Sequence, residues 1–298
     1  MLLGVDIGGT KTAVVVSAAP PEVLGRVEIP TEPERGPQHA IDSIVEAGRS
    51  LLAGAVPSAV GVSCGSPLDR VRGIIQAPPN LTTWVDVPIC RLLAEAFQAP
   101  CRLGNDANAG AVAEHRYGAG VGADHMIFLT LGTGLGAGII AAGRLYLGAN
   151  GDAGEIGHVR LSSRGPVGYH KAGSIEGWSS GGGIAQLARQ AGVPGMVTAR
   201  DVGIAAKAGD AVALGILRKS GERLGQTLAM LVDVFNPQRI VLGGLAWRMG
   251  EPFLGPMRRV LKREALPQTF RACEVVPASL GEKIGDIAAL CVAVGLED

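Results

Sequence analysis

The chain has 298 residues, of which 45 are glycine, 47% are hydrophobic and 4% aromatic, and its 27 basic and 27 acidic side chains cancel to zero net charge. A neutral chain without a basic stripe is not composed as a nucleic-acid binder, and this much hydrophobicity at so low a charge excludes intrinsic disorder. At about 150 residues per domain the length predicts two domains, with a core of Ala, Val, Leu and Ile packed around glycine turns.

Residues 2–17 are apolar and valine-rich around Asp6-Ile7-Gly8-Gly9-Thr10-Lys11, a pattern that predicts a strand, a tight glycine turn and a second strand. The opening MLLGVDIGG has no basic cluster and is interrupted by Asp6, so no secretory signal is expected. After a polar stretch at 30–37, apolar periodicity predicts a helix over 38–53. A short buried strand follows at 59–63, loops at 65–80 and a helix at 87–97. Arg102 and Leu103 end a strand that runs into Gly104-Asn105-Asp106-Ala107-Asn108, and 107–117 reads as a helix with Asp106 as its N-cap. The glycine-rich 118–122 is the candidate domain boundary.

Residues 126–143 are uncharged and long enough to raise a membrane span. Five glycines and two threonines break the run, which reads instead as strand, glycine turn and strand, with no membrane partner. Residues 150–183 are expected to be loop-rich. Helices are expected at 184–191, 210–234, 251–265 and 282–296, with a strand at 239–242 ending in Gly243-Gly244. The five scattered cysteines contain no CxxC pair and suit a reduced, cytoplasmic protein. Mixed strands and helices with glycine turns at strand ends imply an α/β architecture. The apolar strand with its glycine/threonine turn at 5–10 returns at 129–134, a weak internal repeat.

Both turns have the chemistry of an anion cradle, because glycines let backbone N–H groups approach a phosphate. Thr10 and Lys11 add donors to the first, and Asp6 is placed to hold Mg²⁺ through water. Leu131-Gly132-Thr133-Gly134-Leu135-Gly136-Ala137-Gly138 forms the second. Asp106 is a carboxylate that can take a proton from a hydroxyl attacking a phosphate, with Asn105 beside it to position the same substrate. Glu155 and His158, in Glu155-Ile156-Gly157-His158, and Glu176 can hydrogen-bond a polyhydroxylated ligand. Gly243-Gly244 lets the backbone lie flat against a base or ribose. Each of these also has a purely structural reading, as a turn, a cap or a solvated acid.

Their order and combination resemble the ROK family of sugar kinases and related repressors over nearly the whole length. Gly65-Ser66-Pro67-Leu68-Asp69, and Ala77-Pro78-Pro79-Asn80-Leu81 with Trp84, are similar to that family's acceptor-sugar segment. The resemblance implies a two-domain actin-like ATPase (hexokinase/Hsp70, ribonuclease H-like) fold with an interdomain cleft. Residues 1–118 would form a small α/β domain to which a C-terminal helix at 283–298 returns, and 119–282 a large one.

It further implies Asp106 as catalytic base and Gly65, Ser66, Asn80, Asn105, Glu155, His158 and Glu176 as sugar ligands. Gly8, Gly9, Thr10, Lys11, Thr133 and Gly134 would hold the phosphates of ATP, with Mg²⁺ as its companion and Asp6 nearby. Gly243 and Gly244 would lie at the adenosine, and the protein would be a homodimer. The expected reaction is ATP-dependent phosphorylation of glucose to glucose 6-phosphate. The alternatives are another hexose or N-acetylhexosamine acceptor (N-acetylmannosamine, N-acetylglucosamine, fructose, allose) and a non-catalytic sugar-binding regulator. ROK regulators carry a helix-turn-helix ahead of DIGGT; with Asp6 the sixth residue, none is expected here.

One departure stands out. Many ROK proteins bind a structural zinc through the EIGH histidine and three cysteines. With a one-residue deletion the cysteine positions fall on Gly168, His170 and Ser174. A tetrahedral zinc needs four N or S ligands, and only His158 and His170 remain. No structural zinc is expected, with the loop held by packing of Tyr169, Ile175 and Trp178.

Overall fold

In the computed structural model, which describes residues 1–297, β1 (Leu2–Ile7) and β2 (Lys11–Ser17) pair antiparallel across the Gly8–Thr10 turn. Leu3, Val5, Ile7, Val14 and Val16 are buried in one hydrophobic core. β3 (Gly25–Pro30) adds antiparallel to β2, and its burial alternates residue by residue, as on a sheet edge with one wet face. Then come α1 (Pro37–Leu52), β4 (Ala59–Cys64), the short hairpin β5 (Leu68–Asp69) and β6 (Ile74–Ile75), α2 (Ile89–Phe97), β7 (Cys101–Asn105) and α3 (Asp106–Tyr117). The sheet order is β3-β2-β1-β4-β7, with β4 parallel to both β1 and β7.

The next stretch repeats this plan. β8 (Met126–Leu131) and β9 (Leu135–Ala141) form a hairpin around Gly132–Gly134, and β10 (Arg144–Leu145) pairs antiparallel at its edge. The hairpin β11 (Val167–Gly168) and β12 (Lys171–Ala172) precedes α4 (Ile175–Ser179), α5 (Gly181–Ala191), α6 (Ala199–Lys207) and α7 (Ala211–Phe235). β13 (Arg239–Leu242), α8 (Gly244–Met249), α9 (Glu251–Glu264), α10 (Pro267–Ala272) and β14 (Glu274–Pro277) complete it. The sheet order is β10-β9-β8-β13-β14, with β13 parallel to β8 and β14. The sequence repeat at 5–10 and 129–134 is thus a repeat of topology: an antiparallel three-strand meander followed by two parallel strands. Gly221 and Gly225 lie four residues apart on one face of α7. A Cβ at Gly221 would meet the carbonyl of Phe253 and one at Gly225 that of Met257, so these glycines let α9 approach backbone to backbone.

The last helix, α11 (Ile284–Val294), returns to the first sheet and packs on β1, β4 and α3. Gly4 and Gly61 are register partners beneath it. A Cβ on Gly61 would run into the backbone of Ala289 and Ala293. The described residues accordingly form two compact units, Met1–Gly118 with the chain from Leu280 onward, and Ala119–Ser279, each with its own hydrophobic core. The return begins at Leu280 rather than at 283, because the Leu280 N–H is held by Oε1 of the buried Glu114 at 3.0 Å. Residues 281–283 then form a 3₁₀ turn ahead of the helix.

Several elements lie outside the sequence-based expectations: β3, α6, α8, α10 and β14, together with β10 and, in stretches expected to be loop-rich, β5, β6, β11, β12 and α4. α6 does carry a legible start, a reciprocal capping box between Thr198 and Asp201. β14 is an edge strand of only four residues, whereas β3 does alternate, with Val27 and Ile29 between Arg26, Glu28 and Pro30, inside a polar stretch that masks it. Among the described residues no helix is long and apolar enough to cross a membrane.

Candidate active site

In the first unit the chemistry gathers at the ends of β1, β4 and β7. The β1–β2 turn is closed by Gly8 N–H donating to the Lys11 carbonyl at 3.0 Å, and Thr31 Oγ1 donates to the Gly8 carbonyl at 2.7 Å. Asn80 lies directly over Gly9: a Cβ there would sit 2.7 Å from Asn80 Cβ and 3.1 Å from Nδ2. Only glycine admits this approach, which joins an expected phosphate residue to an expected sugar residue. Thr10 is exposed. Lys11 is turned away to Glu28, with Nζ and Oε2 3.0 Å apart, and Arg26 binds the same carboxylate at 2.7 Å. Gly65 has open space around its Cβ position.

At the β7–α3 junction, Asn105 Oδ1 accepts the Asn108 N–H at 3.0 Å, and Asn105 Nδ2 donates to Ser66 Oγ at 2.9 Å. Asn105 is therefore the N-cap of α3, correcting the expectation that Asp106 caps it. Asn105 has the extended backbone of a cap (φ −68°, ψ 140°), whereas Asp106 is already the first helical residue. Relieved of capping, the exposed Asp106 accepts the Ala107 N–H at 2.8 Å.

The electrostatics of this corner are those of crowded carboxylates. Burial pushes Asp6 up to about 6, and the charge of Asp106 adds to the effect. Asp106 is likewise raised by the protein mass around it, against the pull of the Ala107 N–H. Asp286, in the first turn of α11, is raised by burial and opposed by Arg26, whose Nε lies 2.9 Å from its Oδ2. The fully buried Cys64 thiol is pushed well above its ordinary range, by burial first and then by the charges of Asp106 and Asp6. Gly285 abuts the Asp6 carboxylate, where a Cβ would collide with Oδ2. Gly285 and Asp286 were missed in the sequence because α11 is remote in the chain; a Gly-Asp pair opening the last helix is the only trace they leave.

In the second unit the Gly132–Gly134 turn is exposed. The carbonyls of Gly132 and Thr133 accept from Gly181 N–H (2.8 Å) and Gly182 N–H (3.0 Å) at the start of α5. The groups that would repel an anion are thereby occupied. Glu176 on α4 accepts the Leu135 N–H through Oε2 at 3.1 Å, and a Cβ on Gly134 would fall 2.8 Å from the same oxygen. The expected sugar ligand Glu176 is thus also the support of the turn. A Cβ on Gly157 would lie 3.4 Å from that of Glu176, which brings the Glu155–His158 segment to the same place. Glu155 and His158 are exposed, and the His158 ring meets Tyr169 edge-on at 5.8 Å. Gly243 is buried against β8, with its N–H on the Leu129 carbonyl at 2.8 Å, while Gly244 opens α8 to solvent beside Arg248.

Comparison with known proteins gives the family. The ROK family model matches residues 2–294. The chain belongs to the ROK family. It is 35% identical to a glucokinase of Halalkalibacterium halodurans over 96% of this chain and 92% of that one. Among solved ROK structures it resembles a hexokinase from Thermus thermophilus, with a TM-score of 0.83 and 33% identity over 98% and 97% of the two chains. It resembles equally a ROK glucokinase from Streptomyces griseus in complex with glucose and AMPPNP, at 0.83 and 32% over 98% and 99%. The ROK chain has the actin-like ATPase fold of these hexokinases.

Proposed function

We propose that this ROK chain is an ATP-dependent hexose kinase that phosphorylates glucose to glucose 6-phosphate, releasing ADP. The observation that carries the reading is Asp106: an exposed carboxylate at a strand-to-helix junction, raised by its surroundings and released from capping by Asn105. Similarity to glucokinases, one of them with glucose and AMPPNP, supports the choice of acceptor and donor.

In this reading Asp106 accepts the proton of the sugar hydroxyl as the new O–P bond forms, and the bridging oxygen leaves with ADP. Asn105, Ser66, Asn80, Glu155, His158 and Glu176 are the residues expected to bind sugar hydroxyls. The turns at Gly8–Thr10 and Gly132–Gly134 bind phosphate oxygens through backbone N–H groups, and Gly243-Gly244 lies at the adenosine. Lys11 contributes after leaving Glu28. Asp6 is the residue that suits Mg²⁺: a hard oxygen donor whose charge burial and Asp106 disfavour and a cation would stabilise. The ion supplies neutralisation of phosphate charge. A homodimer is part of the same reading, and light scattering at working concentration tests it.

The test is ADP release with Mg·ATP across a panel of hexoses and N-acetylhexosamines, with Asp106→Asn beside the wild type. Glucose-dependent turnover that falls by about 10²–10⁴ in the variant is expected. Preference for N-acetylmannosamine, N-acetylglucosamine, fructose or allose would reassign the acceptor. No turnover with any sugar, while sugars still raise Tm, would leave a sugar-binding regulator.

A further inference from the structure

The zinc that the ROK resemblance implies does not fit the residues present. Of the three positions that would join His158, Gly168 carries no donor and its side-chain space is already filled. A Cβ there would lie 2.5 Å from Gly177 N and 2.8 Å from both Glu176 Cβ and Ser174 Oγ. The buried Ser174 hydroxyl is spent, donating to the Gly168 carbonyl at 3.3 Å and accepting the Gly177 N–H at 3.1 Å. His158 and His170 are exposed, and both rings meet that of Tyr169, at 5.8 and 5.6 Å between centroids. Two imidazoles are half a tetrahedral set. Among the described residues no group of three or more His, Cys, Asp or Glu side chains is placed to hold a metal ion.

The segment is closed by other means. A Cβ on Gly173 would collide with the Ser162 carbonyl, one on Gly177 with that of Pro166, and one on Gly165 with the Trp178 ring. At Gly173 and Gly177 backbone therefore packs on backbone, and at Gly165 on the Trp178 ring, with no space between. Around this contact stand three latches. Gln186 on α5 grips Val167 twice, accepting its N–H at 2.9 Å and donating to its carbonyl at 2.6 Å. Lys171 Nζ donates to the His158 carbonyl at 2.8 Å. Trp178 Nε1 donates to Ser162 Oγ at 2.9 Å, with Lys219 and Arg223 over its ring at 5.0 and 4.9 Å. Ile175 and Trp178 are buried as expected, whereas Tyr169 is exposed and touches only the two histidine rings among its aromatic neighbours.

We propose that residues 158–178 form a metal-free brace in which Gln186 and Lys171 are positioning residues that hold α4, and with it Glu176, against the Gly132–Gly134 turn. The brace is independent of the kinase reading: it concerns what fixes Glu176 on the Leu135 N–H, whatever the turn binds.

The experiment uses the full chain, dialysed with and without a chelator and then with added zinc. Zinc content, Tm and the rate of tryptic nicking at Arg160 and Arg164 are measured for the wild type, Gln186→Ala, Lys171→Met and Lys171→Arg. No stoichiometric zinc and a chelator-insensitive Tm are expected, because a structural metal would make the fold sensitive to chelation. Nicking should accelerate about two- to tenfold in Gln186→Ala and Lys171→Met, the range for a lost hydrogen bond or two. Lys171→Arg, which keeps a donor, should restore the wild-type rate. With ATP and glucose, Gln186→Ala should raise KM for ATP with kcat nearly unchanged. One zinc per chain whose removal lowers Tm would overturn the brace, as would nicking unchanged in both weakened variants. A loss of kcat with KM unchanged would overturn the positioning role. Failure of turnover in the wild type, with the metal and nicking results as expected, would instead count against the kinase assignment.

Discussion

Asp6 is ionised against the preference of its surroundings, and that has a measurable consequence. Its folded pKa of about 6 lies above the ~3.9 of an exposed aspartate. Between those two values the folded chain binds more protons than the unfolded one, so stability falls as pH rises through that window and the full penalty is present above it. Two units correspond to about 3 kcal/mol, an upper bound because the residue keeps some solvent. Asp6→Asn should therefore melt higher than the wild type at pH 7 and at nearly the same temperature near pH 3.5, while losing Mg-dependent turnover. A variant that melts lower at pH 7 would remove Asp6 from the role of strained functional acid. Asp106→Asn bears on the other half of the pair: with the neighbouring charge gone, the pKa of Asp6 should drop, readable by carbonyl-labelled NMR titration.

At the scale of elements, the paired glycines of β1 and β4 determine how close α11 can lie. Gly61→Ala would put a methyl into the helix backbone at Ala289 and Ala293, where no flexible side chain can yield. Overpacking of this kind costs about 1–3 kcal/mol, a Tm loss of roughly 5 °C for a domain of this size. Gly65→Ala, where the added methyl meets nothing within 4 Å, is the control and should leave Tm unchanged. The start of α3 was only half legible. An Asn-Asp pair at a strand-to-helix junction announces a cap, but the two residues have the same capping chemistry, and backbone torsions alone decide which of them caps. The ion pair of Lys11 was not legible for a related reason. Its partner Glu28 sits on β3, across from Ala13 in the register, and an edge strand of alternating burial was not recognised in the sequence.

For the whole molecule, the two cores divide the chain unequally. One is built from residues between Leu3 and Leu103, the other from residues between Ile127 and Ala265 with Phe270, Cys273 and Val275 packed against it. Residues 119–279 carry all of the second core in one continuous stretch. Expressed alone, that stretch should melt cooperatively by circular dichroism. Residues 1–118 alone should not, since the glycine-floored face of β1 and β4 would lose α11 and its buried Ile287–Ala293 run. Cooperative melting of 1–118 without the last helix would show that α11 is dispensable to that core.

What the sequence determined by itself was local. Glycine turns after apolar strands, a carboxylate at a strand-to-helix junction, the absence of cysteines where zinc ligands would stand and the order of these motifs are all set by short-range torsional preference and spacing. They sufficed for the α/β class and for the ROK resemblance. The tertiary structure decided what depends on groups remote in the chain. It brought Asp106 near enough to Asp6 to raise it, laid α11 on Gly4 and Gly61, and turned Lys11 to Glu28. It also set Glu176 on the Leu135 N–H within a loop closed by glycines and Gln186. Charge interaction, desolvation and close packing act through space, and no periodicity in one stretch of chain encodes which distant stretch will arrive beside it.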